Sequence, residues 1–292
     1  MTQEAAQTAA FAVGWDPDRV ASSRIPYSEG GADLLGYLAY DNSTLERRPA
    51  VAIIPDWDGI GPYEEWRAHL LATLGYTALV TDIYSTAVVQ GPSLPIQQRQ
   101  ALSQQYSSNP DLYVARIQAA LDTIRDLDVV DPTQIAVIGY CLGGSGIIQL
   151  HRSYPNGTDG VLGVAGFHAG IPSKYVNEAV PNNPIRATFF NGYNDQGNDP
   201  VTVAEFQAAL NATNATWSFE QLGQTVHAFT EPTMQIVATN TPQANSGYNP
   251  ISDVASWWAL RGFLRDIFGI ANTTNPYTED VMAAEDISPL AS

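Results

Sequence analysis

The sequence is poor in cysteine, in lysine and in long apolar stretches, and each shortage excludes a class of protein. Cys141 is the only cysteine among 292 residues, so no disulfide can form within the chain. One lysine and 12 arginines face 30 acidic residues, which gives a formal net charge of −17. This balance argues against nucleic acid and anionic membranes as partners. The sequence also lacks any run of about 18 apolar residues, so no membrane span is predicted.

The beginning of the chain lacks the basic region and apolar core of a signal peptide. As the sequence stands we expect a cytoplasmic protein, or a secreted one whose signal peptide has been removed. Five Asn-x-Ser/Thr sequons occur, where this composition would give about two by chance. That mild excess fits a secreted eukaryotic protein, or simply loops rich in Asn and Thr. The sequence does not fix the oligomeric state.

Apolar runs rich in β-branched residues alternate with helical patterns along the chain. Strands are predicted at 50–54, 77–81, 135–138, 161–167, 185–191 and 216–222. Helices are predicted at about 96–107 and 111–126 and around Trp66, Ile147, Phe206 and Trp257. This alternation implies a mostly parallel sheet with helices on both faces. An N-terminal hairpin is predicted as well, because two alternating segments between Arg24 and Tyr40 flank Glu29-Gly30-Gly31-Ala32.

The expected organisation is a single domain over residues 24–270. A loosely held arm is expected at 1–23 and a polar tail at 271–292. Asp131-Pro132 is expected to form the turn that leads into the central strand.

The stretch around Cys141 has the pattern of a nucleophile elbow, in which a reactive residue lies on a sharp turn between a strand and a helix. Gly139 and Gly143 stand two positions before and two after it, and they provide room because glycine lacks Cβ. The helix that starts after Cys141 points its positive end at the sulfur, which favours the thiolate. The alternative is that this lone cysteine is a small buried apolar residue.

Two further residues are predicted to reach the same edge of the sheet as Cys141. Asp195 and His227 each follow a predicted strand, and ligands of open α/β sheets bind at the carboxyl ends of strands. The chain order of nucleophile, acid and base is that of α/β hydrolases. In this chemistry His227 takes the thiol proton and later returns one, while Asp195 holds the imidazole tautomer. The alternatives are a turn residue for Asp195 and a surface loop for His227.

The other three histidines are weaker candidates for the base. His69 lies on a predicted helix and His151 lies on the helix after the elbow, so neither should reach the sulfur. His168 directly follows the strand at 161–167 and could line the cleft; a structural role in its loop is the alternative.

The negative charge formed during attack on a carbonyl requires backbone donors beside the nucleophile. The loop after the first core strand and the residue after the nucleophile supply them in α/β hydrolases. We therefore expect the N–H groups of Trp57 and Leu142 to form the oxyanion hole. Losing one such donor costs about 3 kcal/mol of barrier.

Together these residues resemble the dienelactone hydrolase family, whose members have the α/β-hydrolase fold and a cysteine nucleophile. The strongest pieces are IPDWDG at 54–59, LGYTALVTDIY at 74–84, IGYCLGG at 138–144, GYND at 192–195 and VHAFTEP at 226–232. The resemblance extends from about Arg24 to Gly269. It implies a triad of Cys141, Asp195 and His227, the oxyanion donors just named, and no metal or organic cofactor.

The family also has a glutamate before the first oxyanion donor, which touches the nucleophile and helps to ionise it as substrate binds. Asp56 occupies that position here, with a side chain one methylene shorter. Asp58 lies two residues further on and could compete for the role.

A second departure from the family concerns the substrate. Founding members hold the carboxylate of their substrate with an arginine shortly after the DIY-type strand end, a serine just after the catalytic histidine and an arginine three residues beyond that serine. The matching positions here are Thr86, Ala228 and Glu231, so the anion-holding groups are missing and the last is reversed in sign. Neutral lactones or short acyl esters are therefore the expected substrates, rather than anionic dienelactone. The candidate substrate contacts are Tyr84, His168 and Phe229.

The predicted function is hydrolysis of carboxylic esters or lactones through an acyl-enzyme on Cys141. The alternative from a different class is a hydrolase fold used for ligand binding or signalling, with little or no turnover. A thiol-redox role is weaker, because the sequence has no second cysteine to resolve an oxidised sulfur.

Overall fold

The computed structural model describes residues 19–154, 159–172, 182–234 and 245–270. Within them, eight strands form one sheet: β1 Val20–Glu29, β2 Ala32–Asp41, β3 Arg48–Ile54, β4 Thr77–Val80, β5 Val130–Tyr140, β6 Val161–Phe167, β7 Arg186–Gly192 and β8 Trp217–Leu222. The same residues contain six helices: α1 Pro62–Thr73, α2 Ile96–Ser108, α3 Pro110–Arg125, α4 Leu142–Ser153, α5 Pro200–Ala212 and α6 Pro250–Ile267.

The sheet is mostly parallel. Its strand order is β1-β2-β4-β3-β5-β6-β7-β8. Strand β2 pairs antiparallel with both β1 and β4, and every other pairing between the named strands is parallel. The predicted parallel sheet and the predicted N-terminal hairpin are both confirmed.

The hairpin turns at two glycines. Gly30 and Gly31 have φ angles of 56° and 80°, and a two-residue hairpin turn of type I′ requires positive φ at both positions. Strand β1 begins at Val20, which pairs with Asp41, so the predicted arm over 1–23 extends too far into the sheet. After Val20 and Ala21 this edge strand continues with the exposed polar residues Ser22, Ser23 and Arg24, so its beginning gives no sustained apolar signal. Residues 1–18 and the predicted tail at 271–292 lie outside the described residues.

Both faces of the sheet are covered by helices, as predicted. One apolar cluster joins α2, α3, α4 and α5 to the first face, and a second joins α1 and α6 to the other. Strands β3, β4 and β5 lie between the two clusters, and their central side chains are completely buried. This explains why they appear in the sequence as continuous apolar runs.

The carboxyl ends of β3, β5, β6, β7 and β8 lie at one edge of the sheet, and the loops that follow them carry the predicted site. The expected turn at Asp131-Pro132 is wrong, because β5 already begins at Val130. The pairing of β5 with β3 shifts register between Val130 and Ile135, and such an irregularity accommodates a proline near the start of a strand. Among the described helices, none is long and apolar enough to cross a bilayer.

Candidate active site

The turn at Cys141 is so tight that it requires glycine on both sides. Cys141 lies between the last residue of β5 and the first residue of α4, with φ at 52°. A Cβ added at Gly139 would lie 2.4 Å from the carbonyl oxygen of Gly143, and one at Gly143 would lie 2.2 Å from the carbonyl oxygen of Ile54. Only glycine fits at either position. A positive φ at a non-glycine residue is costly and is found mainly at functional turns.

The structure brings together Cys141, His227 and Asp195, whose positions were predicted from the sequence. The Nε2 atom of His227 lies 3.0 Å from the Cys141 sulfur, and Nδ1 lies 2.8 Å from Oδ2 of Asp195. Asp195 is 4% exposed, and its other oxygen accepts the N–H of Gly197 at 2.9 Å. This second hydrogen bond holds the carboxylate in the position from which it orients the imidazole.

Charge around His227 favours its protonated form. Burial alone would lower the pKa of this imidazole, but the Cys141 sulfur and the Asp195 carboxylate outweigh burial and raise the pKa to about 10. The histidine can therefore carry a proton taken from the thiol while its partners stabilise the positive charge.

His168 lies behind the triad. It is 2% exposed, and its ring centroid is 5.0 Å from that of His227. Its Nδ1 accepts the N–H of Cys141 at 3.1 Å, and Nε2 lies 2.8 Å from the Thr230 hydroxyl. Burial, followed by the neighbouring charge of His227, lowers the pKa of His168 well below its ordinary value. Both ring nitrogens are thus used inside the protein.

The other two candidate substrate contacts are also enclosed. Phe229 is completely buried, and Tyr84 is 4% exposed. Neither they nor His168 line the two cavities beside Cys141, so a direct contact with a substrate bound there is not what this geometry supports. The sequence places all three near strand ends but gives no direction for their side chains.

The remaining histidines lie away from the sulfur, as expected. His69 in α1 lies 2.6 Å from the Tyr37 hydroxyl. His151 in α4 bonds to the carbonyl of Ile185 at 3.0 Å.

The two predicted oxyanion donors flank the sulfur. Trp57 and Leu142 both line a cavity that contains Cys141, and Leu142 opens α4, where the first N–H groups have no acceptor within the helix. Two tyrosines fix the carbonyls of these residues. Tyr84 donates to the Trp57 carbonyl at 2.8 Å and Tyr113 donates to the Leu142 carbonyl at 2.9 Å. The role of Tyr113 is not predictable from the sequence, because nothing in the pattern of α3 distinguishes it from a core aromatic residue.

Two cavities meet at Cys141 and His227. We call the first the aromatic cavity: it measures about 320 Å³, and Trp57, Tyr106, Tyr113 and Ile171 contribute to its wall. We call the second the acidic cavity: it measures about 670 Å³, and its wall includes Asp56, Asp58, Glu64 and Glu231.

The carboxyl groups of the acidic cavity repel one another. Burial first, and then neighbouring carboxylates, raise the pKa of Asp56 and of Glu64 well above the ordinary values. Burial raises the pKa of Glu231 to about 7. Asp58 forms an ion pair with Arg99 at 3.3 Å. Oxygens of Asp56, Asp58 and Glu64 lie within 4.8 Å of one another, a spacing that would also let them hold a metal ion.

The three positions that match the family's anion-holding groups do not all lie at the site. Ala228 and Glu231 line the acidic cavity. Thr86 is exposed, and its N–H donates to the carbonyl of Asp33 at 2.9 Å. The acidic cavity therefore has an acid, rather than a guanidinium group, at the last of these positions.

Known proteins are similar to this chain in sequence and in fold. An uncharacterized protein of Caenorhabditis elegans is 28% identical over 159 residues, which are 52% of this chain and 92% of the relative. The solved structure of m3DLH is 25% identical, with a TM-score of 0.76 over 86% of this chain and 99% of that chain. A dienelactone hydrolase-like promiscuous phosphotriesterase from metagenomic libraries is 23% identical, with a TM-score of 0.75 over the same shares of the two chains.

The family model described as the dienelactone hydrolase family matches residues 34–268. That match covers most of the chain and includes Cys141, Asp195 and His227. The structural neighbours share the α/β-hydrolase fold. Together they support a hydrolase. The chain belongs to the dienelactone hydrolase family.

Proposed function

We propose that this chain hydrolyses carboxylic esters or lactones, with Cys141 as nucleophile, His227 as proton carrier and Asp195 as the residue that orients the imidazole. One observation carries the proposal. Sulfur, imidazole and carboxylate are joined by contacts of 3.0 and 2.8 Å at a wall shared by two cavities. That arrangement meets the geometric requirement for an activated thiol nucleophile.

The reaction would proceed in two halves. The Cys141 thiolate, whose proton is held on Nε2 of His227, attacks the carbonyl carbon, and backbone N–H groups of Trp57 and Leu142 stabilise the oxyanion. The carbon–oxygen bond of the ester then breaks, and Nε2 returns the proton to the leaving alcohol. In the second half, water gives a proton to His227 and attacks the thioester, which releases the acid and restores the thiolate beside the protonated imidazole.

Asp56 is the proposed activating group beside the nucleophile. The sulfur is close enough that its charge contributes to the raised pKa of Asp56, after burial and the neighbouring carboxylates. A carboxyl group that keeps its proton does not repel a thiolate, and it can donate a hydrogen bond. The shorter side chain of aspartate would therefore serve the role that the family gives to glutamate.

Neutral substrates are favoured over anionic ones. Glu231 lies in the acidic cavity where the family holds a carboxylate with arginine, and Ala228 offers no hydroxyl. A substrate carboxylate placed there would meet like charge in a region of low dielectric.

The first test is turnover of p-nitrophenyl acetate by the wild-type protein and by Cys141→Ala, with circular dichroism as the check on folding. We expect turnover in the wild type and only background hydrolysis in the variant. Retained turnover in Cys141→Ala would move the chemistry to other residues. The substrate class is tested by cis-dienelactone, for which we expect a lower kcat/KM than for the neutral ester; faster turnover of dienelactone would contradict that part.

The binding or signalling alternative makes a different prediction. It expects no turnover across a panel of neutral lactones and esters, and a thiol at Cys141 that reacts with iodoacetamide no faster than an ordinary cysteine. Rapid stoichiometric labelling that abolishes turnover would favour the hydrolase, and it is easily measured because the chain has one cysteine.

A further inference from the structure

The two cavities that meet at Cys141 differ in charge. Among the described residues, the lining of the aromatic cavity includes no aspartate, glutamate, lysine or arginine. The acidic cavity is lined by Asp195 of the triad and by four further carboxyl groups. We call these four the acidic wall: Asp56, Asp58, Glu64 and Glu231.

Few positive groups balance the acidic wall. Arg99 is the one arginine or lysine among the described residues that line the acidic cavity, and it pairs with Asp58 at 3.3 Å. Arg67 lies further inside, where it binds Asp253 at 2.5 Å and the Thr230 carbonyl at 2.9 Å. The segment 235–244, which the structure does not describe, contains no charged residue in the sequence.

Glu64 provides an independent observation that points to a positively charged ligand. It is 1% exposed, and its Oε2 accepts the N–H of Gly61 at 3.0 Å, which caps α1. Its Oε1 is buried and has no hydrogen-bond partner among the described residues, although the side chain lines the acidic cavity. A buried carboxylate oxygen without a partner is costly, and a positive charge in the cavity would reduce that cost electrostatically.

The other members of the wall point to the same kind of ligand. Oxygens of Asp56, Asp58 and Glu64 come within 4.8 Å of one another, and burial raises the pKa of Glu231 to about 7. These groups reduce their mutual repulsion by keeping protons. A positive group among them would let them ionise and would be attracted strongly in this enclosed setting.

We propose that the acidic wall selects esters in which one half carries an ammonium group, while the neutral half occupies the aromatic cavity. This inference rests on the proposed thiol hydrolase. An organic cation suits the acidic cavity better than a bare metal ion, because the space of about 670 Å³ opens directly onto Cys141 and accepts a group of substrate size. Part of the wall is also already paired with Arg99.

The first experiment measures charge selection at the sulfur without any turnover. Methanethiosulfonate reagents form a mixed disulfide with Cys141 and release methanesulfinate, and they exist with a trimethylammonium or a sulfonate group. Their rate ratio is divided by the ratio measured with free 2-mercaptoethanol at the same ionic strength. We expect the cationic reagent to be favoured at least about tenfold. A corrected ratio near one would overturn the inference.

Matched variants separate the wall from the overall negative charge. Glu231→Gln and Glu64→Gln should each lower the ratio, and the amide oxygen still provides an acceptor for the hydrogen bonds of the original side chain. Glu205→Gln removes the same charge from an exposed position of α5 and should leave the ratio unchanged. An equal fall in all three variants would assign the preference to net charge and overturn the inference.

The second experiment uses substrates of one shape and two charges. Acetylthiocholine is compared with 3,3-dimethylbutyl thioacetate, and a p-nitrophenyl ester with a trimethylammonium-tipped acyl chain is compared with its tert-butyl analogue. In one of the two pairs we expect kcat/KM to be at least about tenfold higher for the cation. Equal turnover in both pairs overturns the inference and leaves the hydrolase intact. Charge selection by the reagents without any turnover instead supports the cation site and contradicts the hydrolase.

A divalent metal ion is the rival occupant. If millimolar Mg²⁺ or Ca²⁺ protects Cys141 from the cationic reagent and choline chloride does not, the wall holds a metal ion and the ammonium inference is wrong. Protection by choline and not by the metals supports it.

Discussion

The loops after β6 and β8 each bring a histidine to Cys141, and the two imidazoles have opposite properties. His227, after β8, contacts the sulfur and the Asp195 carboxylate, which raise its pKa to about 10 against the effect of burial. His168, after β6, accepts the N–H of Cys141 and faces the Thr230 hydroxyl. Its pKa is lowered well below the ordinary value by burial and then by His227. One environment stabilises a charge, and the other excludes it.

Hydrogen bonding, in addition to burial, explains why the pKa values of the two histidines differ. The Nδ1 atom of His168 accepts an N–H group that is shared with the Phe167 carbonyl, at 3.1 and 3.0 Å. A neutral imidazole has one acceptor and one donor, so Nε2 carries the proton and donates to Thr230. Protonation would place an N–H at Nδ1 against the N–H of Cys141. His168 therefore acts as a fixed acceptor that holds the elbow, and His227 is the one imidazole of the pair suited to proton transfer.

The largest expected effect comes from replacing each histidine by asparagine. His227→Asn should lower kcat/KM for a neutral ester about 10⁴-fold, because the thiol loses its proton acceptor and the acyl-enzyme loses its base. His168→Asn should cost less than about tenfold per folded molecule, since an amide oxygen can still accept the Cys141 N–H.

The check is steady-state kinetics corrected for the folded fraction from thermal denaturation. A loss in His168→Asn as large as that in His227→Asn would break the comparison and make His168 a second proton carrier. A small loss in His227→Asn would remove the proton-transfer role from the loop after β8.

The sequence predicts the loop after β8 better than the loop after β6, for a physical reason. A strand that ends shortly before Val-His-Ala-Phe predicts only that His227 lies near the sheet edge, and a strand that ends directly before His168 predicts no more for that residue. Which side chain turns toward the sulfur depends on backbone angles set by tertiary contacts; His168 has φ at 37°. The chemical order of nucleophile, acid and base selects His227 without that information. No such rule marks His168 as buried.

The acidic wall cannot be predicted from the sequence, for a different reason. Glu64 and Glu231 are 167 positions apart in the sequence, and Glu64 has the ordinary role of capping α1. Only the tertiary packing brings Glu64 of α1 and Glu231 of the loop after β8 into the same cavity. By contrast, the predicted bounds of β6 are confirmed to the residue, because a buried strand between glycine-bearing turns has a purely local signal.

The pH dependence of the free energy of unfolding tests whether His168 stays neutral in the folded protein. The lowered pKa of His168 means that below about pH 6.5 the unfolded chain binds a proton that the folded chain refuses. The free energy of unfolding should therefore fall as the pH is lowered through that range, by up to about 1.4 kcal/mol for each pH unit. His168→Asn should lose this contribution. The difference in free energy of unfolding between wild type and variant, measured by urea titration, should therefore become smaller as the pH is lowered.

A difference that stays constant between about pH 7 and pH 5 would mean that His168 is protonated in the folded protein. Imidazole ¹⁵N chemical shifts provide the direct reading. His168 should remain neutral across this range, and His227 should keep its proton up to about pH 10.

The smallest expected effect concerns the support of His168 rather than the histidine itself. The Thr230 hydroxyl lies 2.8 Å from Nε2 of His168 and 2.6 Å from the Tyr63 hydroxyl, which in turn accepts Nε of Arg67 at 3.3 Å. Thr230→Val keeps the shape and leaves the His168 N–H without an acceptor. It should lower the free energy of unfolding by about 1–2 kcal/mol, with little change in kcat/KM.

Thr230→Ser separates the hydroxyl from the methyl group. Serine keeps the acceptor and should recover the part of the loss that belongs to hydrogen bonding, leaving only the packing cost of one methyl, about 1 kcal/mol. A loss in Thr230→Ser with none in Thr230→Val would show that Thr230 acts through packing alone. A large fall in kcat/KM for Thr230→Val, with its recovery in Thr230→Ser, would mean that this hydroxyl acts through His168 on the nucleophile. The loop after β6 would then be part of the chemistry, because its hydrogen bonds would control how the elbow presents the sulfur.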